Sequence, residues 1–270
     1  MKTINELKDI VIQIRRDILR MVHANSSGHP GGSLGCAEFL SVLYFYTMNH
    51  SNDFSMDGKN EDIFFLSNGH ISPVFYSVLS RCGYFNIKEL ATFRKINSRL
   101  QGHPTPHEKL EGVRMASGSL GQGLSTAIGA ALTKKLNNDQ NLVYALLGDG
   151  ELQEGQVWEA LMYYPKTGLT DLVCIIDWNK AQNDGYSEDF SIMYENLQER
   201  ISSFGWDTRV IDGHDMKKIS SELDDFGDKP VCIILDTIKG KGVSFMEDPS
   251  WHCKVPTDDE YKQAMKELGV

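Results

Sequence analysis

The chain has 270 residues, 41% of them apolar and 24% charged, which is enough apolar material to bury a large core and excludes a disordered segment. Its 37 acidic and 27 basic residues give a formal net charge of -10, and the basic ones form no tract, so a broad nucleic-acid-binding face is excluded and any anion must be held by local features. No apolar run of about 18 residues could span a bilayer, and five scattered cysteines without a Cys-x-x-Cys pair suit buried thiols in a reducing cytoplasm.

Near the N-terminus, Leu7, Ile10, Val11, Ile14, Ile18 and Val22 recur at helical spacing, while Lys2, Lys8, Arg15, Arg16 and Arg20 interrupt the apolar run that a signal peptide needs. A Gly/Pro-rich turn, Ser26 to Gly32, leads into a predicted helix through Cys36 to Tyr46. Asp62 to Leu66 reads as a short strand that runs into Ser67-Asn68-Gly69-His70, followed by a helix from Pro73 to Cys82 with proline in its first turn. Residues Arg94 to Arg114 are polar and rich in Gly and Pro, and a loop of that length in a folded domain is usually functional.

From there the pattern alternates: helix Leu120 to Leu136, strand Leu142 to Leu147, helix Gln156 to Tyr164, strand Leu172 to Asp177, helix Met216 to Asp224 and strand Lys229 to Ile238. The expected fold class is therefore α/β, a doubly wound, mostly parallel sheet with helices on both faces, as one domain over residues 1–270.

Two apolar runs carry the most chemical information. Leu142 to Leu147 ends in Gly148-Asp149-Gly150, and Leu172 to Ile176 ends in Asp177-Trp178-Asn179, with Asn179 placed 30 residues after Asp149. If both are parallel strands joined by a helix, Asp149 and Asn179 emerge at their carboxyl ends, where open α/β sheets bind ligands. Neighbouring strands lie about 4.8 Å apart, so an Asp carboxylate, an Asn carbonyl and a loop carbonyl just beyond Asn179 could share one hard cation. Mg²⁺ would complete its octahedron with water and diphosphate oxygens. A lone Gly-Asp-Gly also ends many ordinary strands; the pairing across a strand-helix-strand unit is the specific signal.

Gly118-Ser119-Leu120-Gly121-Gln122-Gly123 opens a small-residue helix whose free N–H groups would suit a diphosphate, although glycine there also serves close helix packing. Four of the eight histidines, His29, His70, His103 and His252, sit beside Gly, Pro or Trp in predicted loops. Each alone suits a structural or solvated role; together they would be proton donors and hydroxyl ligands.

With Ser27-Gly28-His29-Pro30-Gly31-Gly32, Ser67-Asn68-Gly69-His70, Gly102-His103-Pro104, Gly118 to Gly123, Gly148-Asp149-Gly150-Glu151-Leu152-Gln153-Glu154-Gly155 and Lys239-Gly-Lys-Gly-Val-Ser-Phe245 in order, the chain resembles transketolases from about Arg15 onward. The resemblance implies the thiamine-diphosphate-binding fold and transfer of a two-carbon ketol unit from a ketose phosphate to an aldose phosphate, as in the pentose phosphate pathway. It implies thiamine diphosphate and Mg²⁺, with Ca²⁺ or Mn²⁺ as alternates, the metal being ligated by Asp149, Asn179 and the backbone oxygen of Ala181. His70, Gly118, Ser119, Leu120, Gly150, Asn179, Lys239 and His252 would hold the cofactor, and His29, His70, His103 and His252 would line the substrate channel as the catalytic set. Glu154, grouped with the cofactor residues, would join a carboxylate network between subunits.

The resemblance further implies a partner, a C-terminal transketolase subunit with the pyrimidine-binding domain and its catalytic Glu, in a heterotetramer with two copies of each chain and no nucleic-acid or membrane partner. Two departures bear on the donor and acceptor sugars: Asn183 replaces an apolar residue in Lys180-Ala-Gln-Asn-Asp-Gly185, and Cys253 stands where the family commonly has Gly. An alternative is a dedicated two-carbon (glycolyl) transferase acting on an unusual sugar or a carrier protein. A regulatory subunit without catalysis fits poorly with Asp149, Asn179 and the histidines all present.

Overall fold

The computed structural model describes residues 2–182, 185–186 and 195–270. Its apolar runs form strands β1 (Ile63–Leu66), β2 (Val143–Gly148) and β3 (Leu172–Trp178), then a small antiparallel pair β4 (Ala181–Gln182) and β5 (Gly185–Tyr186), and finally β6 (Asp207–Asp212) and β7 (Val231–Asp236). Five of them pair in parallel in the order β1-β2-β3-β7-β6.

Both faces of this sheet are covered, which is why its central strands are apolar at every position instead of alternating. Phe64, Leu66, Tyr144, Leu146, Val173, Ile175, Val231 and Ile233 face one core, shared with α1 (Ile4–Ala24), α2 (Pro30–Gly35), α3 (Ala37–Val42) and α4 (Ser72–Arg81). Ile63, Phe65, Val143, Ala145, Leu147, Leu172, Cys174 and Ile176 face the other, with α5 (Gly123–Leu136), α6 (Gly155–Tyr163) and α7 (Leu197–Ser203). Each fully buried aliphatic side chain contributes on the order of 1.5–3 kcal/mol. The first core also takes in α8 (Met216–Leu223) and α9 (Asp258–Glu267).

The helices follow local signals. In α1 a capping box between Thr3 and Glu6 closes the first turn, and Leu7, Val11, Ile14, Ile18 and Val22 form its buried stripe. The predicted helix from Cys36 to Tyr46 instead divides: Pro30 begins α2, Cys36 separates it from α3, and Leu43–Thr47 is a turn of π-helix. Of the glycines read as a turn, Gly31 and Gly32 lie inside α2, where they permit close approach. A Cβ on Gly31 would sit 2.6 Å from Lys239 Cγ and 2.7 Å from the Trp251 carbonyl.

The helix predicted from Leu120 begins at Gly123, since Gly121 has φ +83° and cannot propagate a helix. The long predicted loop, Arg94 to Arg114, holds one short 3₁₀ helix, Pro106–Glu108, among its turns. Strand β6 and helices α7 and α9 are not among the elements expected from the sequence, although Tyr261, Ala264, Met265 and Leu268 recur at helical spacing behind a capping box between Thr257 and Glu260; β6 is a sheet edge with only Thr208 and Ile211 buried.

Candidate functional site

Four adjacent strands deliver side chains to one end of the sheet. Asn68 and His70 follow β1, Asp149 and Gly150 follow β2, Asn179 and Ala181 follow β3, and Lys239 follows β7. Gly148 is in register with Asp177, and the Asp149 amide donates to the Asp177 carbonyl at 3.1 Å, so the ladder itself brings Asp149 and Asn179 to the same edge.

The buried Asp149 carboxylate accepts from the Gly150 amide at 2.8 Å. Asn179 is oriented by a buried neighbour: its Nδ2 donates to Asp177 Oδ2 at 2.7 Å, while its Oδ1 accepts from the Ala181 amide at 3.2 Å. Asp177 is itself held by the Thr237 hydroxyl. Lys239 Nζ, also buried, donates to the Ala181 carbonyl at 2.6 Å and lies 3.0 Å from His252 Nδ1. Burial lowers the pKa of Lys239, opposed by the carboxylates of Asp149 and Asp177.

Among the described residues no group of three or more His, Cys, Asp or Glu side chains could hold a metal ion. The oxygens expected to hold a cation at this edge are the Asp149 carboxylate, the Asn179 amide oxygen and the Ala181 carbonyl. That set of hard oxygens suits Mg²⁺ completed by phosphate and water, and suits a soft metal poorly.

Glu151, which sequence reasoning passed over, organises the glycine loop. Its carboxylate, 1% exposed, accepts from the Gly121 amide at 2.7 Å, the Gly148 amide at 3.0 Å and the Ser67 hydroxyl. Ser67 Oγ accepts in turn from the Gly123 amide at 3.0 Å, and α5 comes so close that a Cβ on Gly123 would lie 2.3 Å from Ser67 Cβ. Burial raises the Glu151 pKa, and the three donors hold it down. This corrects the expectation of free N–H groups throughout the start of α5: the amides of Gly121 and Gly123 are already taken by protein acceptors.

The four predicted histidines come together. The His29 ring centroid lies 5.3 Å from that of His70, 5.4 Å from His252 and 6.2 Å from His103, and His70 lies 5.2 Å from His252. Burial pushes His29 down to about 4, with Arg94, His103 and Lys239 adding to the effect. His252 falls to about 3 through burial and then Lys239; His70 falls well below its ordinary value through burial, and His103 is lowered by burial and Arg94. The cluster is a set of neutral imidazoles at pH 7, each able to donate at one nitrogen and accept at the other.

A cleft of about 190 Å³ at this edge is lined by His70, Leu120, Asp149, Gly150, Asn179, Ala181, Lys239 and His252 from the predicted set, together with Asn68, Glu151, Asp177 and Gln182, which were not predicted. Asn68 and Asp177 stand inside the predicted motifs, but there only their neighbours have an expected role. Gly118 and Ser119 are exposed, and a Cβ on Gly118 would lie 3.6 Å from His103 Cβ, which puts that loop beside the histidines. Glu154 is exposed at the start of α6, outside the cleft lining. Cys253 is exposed, and Asn183 lies outside the described residues. A larger groove of about 560 Å³ runs along α5, but its buried cations, Arg114 and Lys134, are already paired with Glu61 and Asp139.

Residues 7–270 match the family model of the transketolase thiamine diphosphate binding domain. The chain is 37% identical to human transketolase over 97% of its own length but only 42% of that protein's. It is 37% identical to the 6-deoxy-6-sulfo-D-fructose transketolase subunit SqwG of Clostridium sp. (strain MSTE9), covering 94% of this chain and 93% of that subunit. It is 36% identical to an apulose-4-phosphate transketolase subunit of Actinobacillus succinogenes, covering 98% and 96%. Among solved structures it is similar to the transketolase of Campylobacter jejuni, with a TM-score of 0.91 and 30% identity over 99% of this chain and 43% of that one.

Proposed function

The chain belongs to the transketolase family through its thiamine diphosphate binding domain, and from that premise we propose that it is the diphosphate-binding chain of a two-chain transketolase. In this reading residues 1–270 are one domain, Asp149, Asn179 and the Ala181 carbonyl hold Mg²⁺, and Lys239, His70, His252 and the loop from Gly118 to Leu120 hold thiamine diphosphate. The observation that carries the site is the convergence of one carboxylate, one amide oxygen, one carbonyl and a buried ammonium on the carboxyl ends of β2, β3 and β7. The two-chain reading is supported by the likeness to two bacterial proteins named as transketolase subunits, of which this chain covers 93% and 96%, whereas it spans 42% of the human enzyme.

Thiamine diphosphate, when bound, supplies the electron sink for breaking and making the bond beside a ketose carbonyl. The chain's own part is to bind, orient and move protons. Neutral His29, His70, His103 and His252 would donate to sugar oxygens and pass protons at their ring nitrogens without adding charge to the site. The pyrimidine-binding domain and its Glu would come from a partner chain, in an assembly with two copies of each, and Glu154 would lie at the contact between chains. Cys36, Cys174 and Cys232 are buried thiols, which suits a reducing cytoplasm.

The names of the two bacterial relatives favour a second reading for the substrate, a modified sugar in place of the pentose phosphates. Ketol transfer is to be assayed with purified chain, thiamine diphosphate and Mg²⁺, with and without a chain carrying the pyrimidine-binding domain. Xylulose 5-phosphate would be compared with 6-deoxy-6-sulfofructose and apulose 4-phosphate as donors. Turnover by this chain alone at about 1 per second or faster sinks the two-chain reading, and a clear preference for xylulose 5-phosphate sinks the modified-sugar reading.

A further inference from the structure

Asn68 is 1% exposed, and among the described residues neither its Oδ1 nor its Nδ2 has a hydrogen-bond partner. Asn68 lines the cleft at the strand ends, and its Nδ2 is 3.7 Å from where a Cβ on Gly148 would stand. The backbone around it is tightly determined. Its carbonyl accepts from the Ile71 amide at 3.1 Å, and a Cβ on Gly69 would meet the Ser117 carbonyl and hydroxyl at 2.3 Å. The side chain is thus held by its surroundings without being satisfied by them. A buried amide in that condition destabilises the fold by about 1–3 kcal/mol, and native chains keep such groups when a ligand supplies the missing partners.

We propose that Asn68 is a ligand-binding residue that donates from Nδ2 to a diphosphate oxygen in this cleft. The inference rests on the proposed function for the identity of the anion, but its basis is separate: the unsatisfied amide, not the metal-ligand set. Lys239 supplies the charge on one side of the cleft, and Asn68 supplies a neutral, directional donor on the β1 side. A neutral donor adds an anion contact without a second buried cation.

A ligand role and a structural role predict opposite signs for one substitution. Asn68→Ala removes a buried amide without a partner, so the ligand-free protein should melt at or above the wild-type temperature. The same change should weaken binding of inorganic pyrophosphate in Mg²⁺ by about 10- to 100-fold, the range for a hydrogen bond to a charged group. Asn68→Asp should weaken it further by setting a carboxylate against the anion. Both are read by titration calorimetry and thermal melting on the purified chain. Wild-type affinity in Asn68→Ala overturns the proposal, as does a loss of affinity matched by a fall in melting temperature. Binding of pyrophosphate but not of thiamine diphosphate by the wild type would count against the functional reading, while the wild-type to variant ratio with pyrophosphate would still decide the role of Asn68.

Discussion

Lys239 Nζ donates at 2.6 Å to the carbonyl of Ala181, the backbone oxygen proposed to ligate the cation. The ammonium is buried, and its stem packs where a Cβ on Gly31 would otherwise fit. Lys239→Met keeps the stem and removes the charge. Affinity for pyrophosphate in Mg²⁺ should fall roughly tenfold or more, as for loss of a charge-assisted hydrogen bond. The melting temperature should shift by less than about 4 °C, the equivalent of about 1 kcal/mol in a chain of this size. Unchanged affinity by calorimetry would remove Lys239 from the site.

Asp149 is the one carboxylate in the proposed cation set. Asp149→Ala should lower thiamine diphosphate affinity by more than the 10- to 100-fold typical of losing a group that only supports a metal ligand. Raising Mg²⁺ should recover little of it, while far-UV circular dichroism should stay unchanged. Titration at two Mg²⁺ concentrations checks this, and near-wild-type affinity would refute the metal assignment.

For Glu151, the test is a substitution that keeps shape but not acceptors. Oε1 accepts from Gly121 and Ser67, and Oε2 from Gly148. Glu151→Gln would set an amide NH₂ against a backbone N–H. Stability in urea should drop by about 1–3 kcal/mol, the range for leaving a buried polar group unsatisfied. Amide exchange should quicken in a peptide spanning residues 117–124 while the β2 and β3 peptides hold. Uniform quickening across all of these peptides would contradict a local latch.

The histidine cluster sets a pH window. Folding lowers the pKa of His29 from 6.5 to about 4. Between those values the unfolded chain binds a proton that the native cluster refuses, so stability falls as pH drops through the window and levels off below it. Above about 6.5 the residue contributes no pH dependence. Urea midpoints at pH 7.5, 6, 5 and 4 should show His29→Asn losing less stability on acidification than wild type. Imidazole ¹⁵N shifts should still report a neutral ring at pH 6, and a titration midpoint near 6.5 would remove the effect.

Much of this molecule was legible in the chain itself because the signals involved are short-range. Runs such as Leu142 to Leu147 and Leu172 to Ile176, apolar at every position and bounded by turn residues, read as strands covered on both faces, and the helices between them pointed to parallel pairing. Parallel strands end on the same side, so Asp149 and Asn179 were bound to meet once β2 and β3 were neighbours. The four histidines also meet, as the resemblance to transketolases implied, though no local signal in the chain foretold it.

Long-range packing decided the rest. Nothing local places β7 beside β3 and β6 outside it, yet that order is what carries Lys239 to the Ala181 carbonyl. The glycines of α2 read as a turn until Lys239 and Trp251 press against them, and Gly121 and Gly123 seemed to offer free amides until Glu151 and Ser67 claimed them. Strand β6, a half-exposed edge with only Thr208 and Ile211 buried, shows too little apolar alternation to be read, because its stability comes from the strand it pairs with and not from its own pattern. Hydrophobic periodicity and turn chemistry are properties of a few consecutive residues, so a sequence states them openly. Which donor finds which acceptor depends on segments far apart in the chain, and only the folded arrangement settles that pairing.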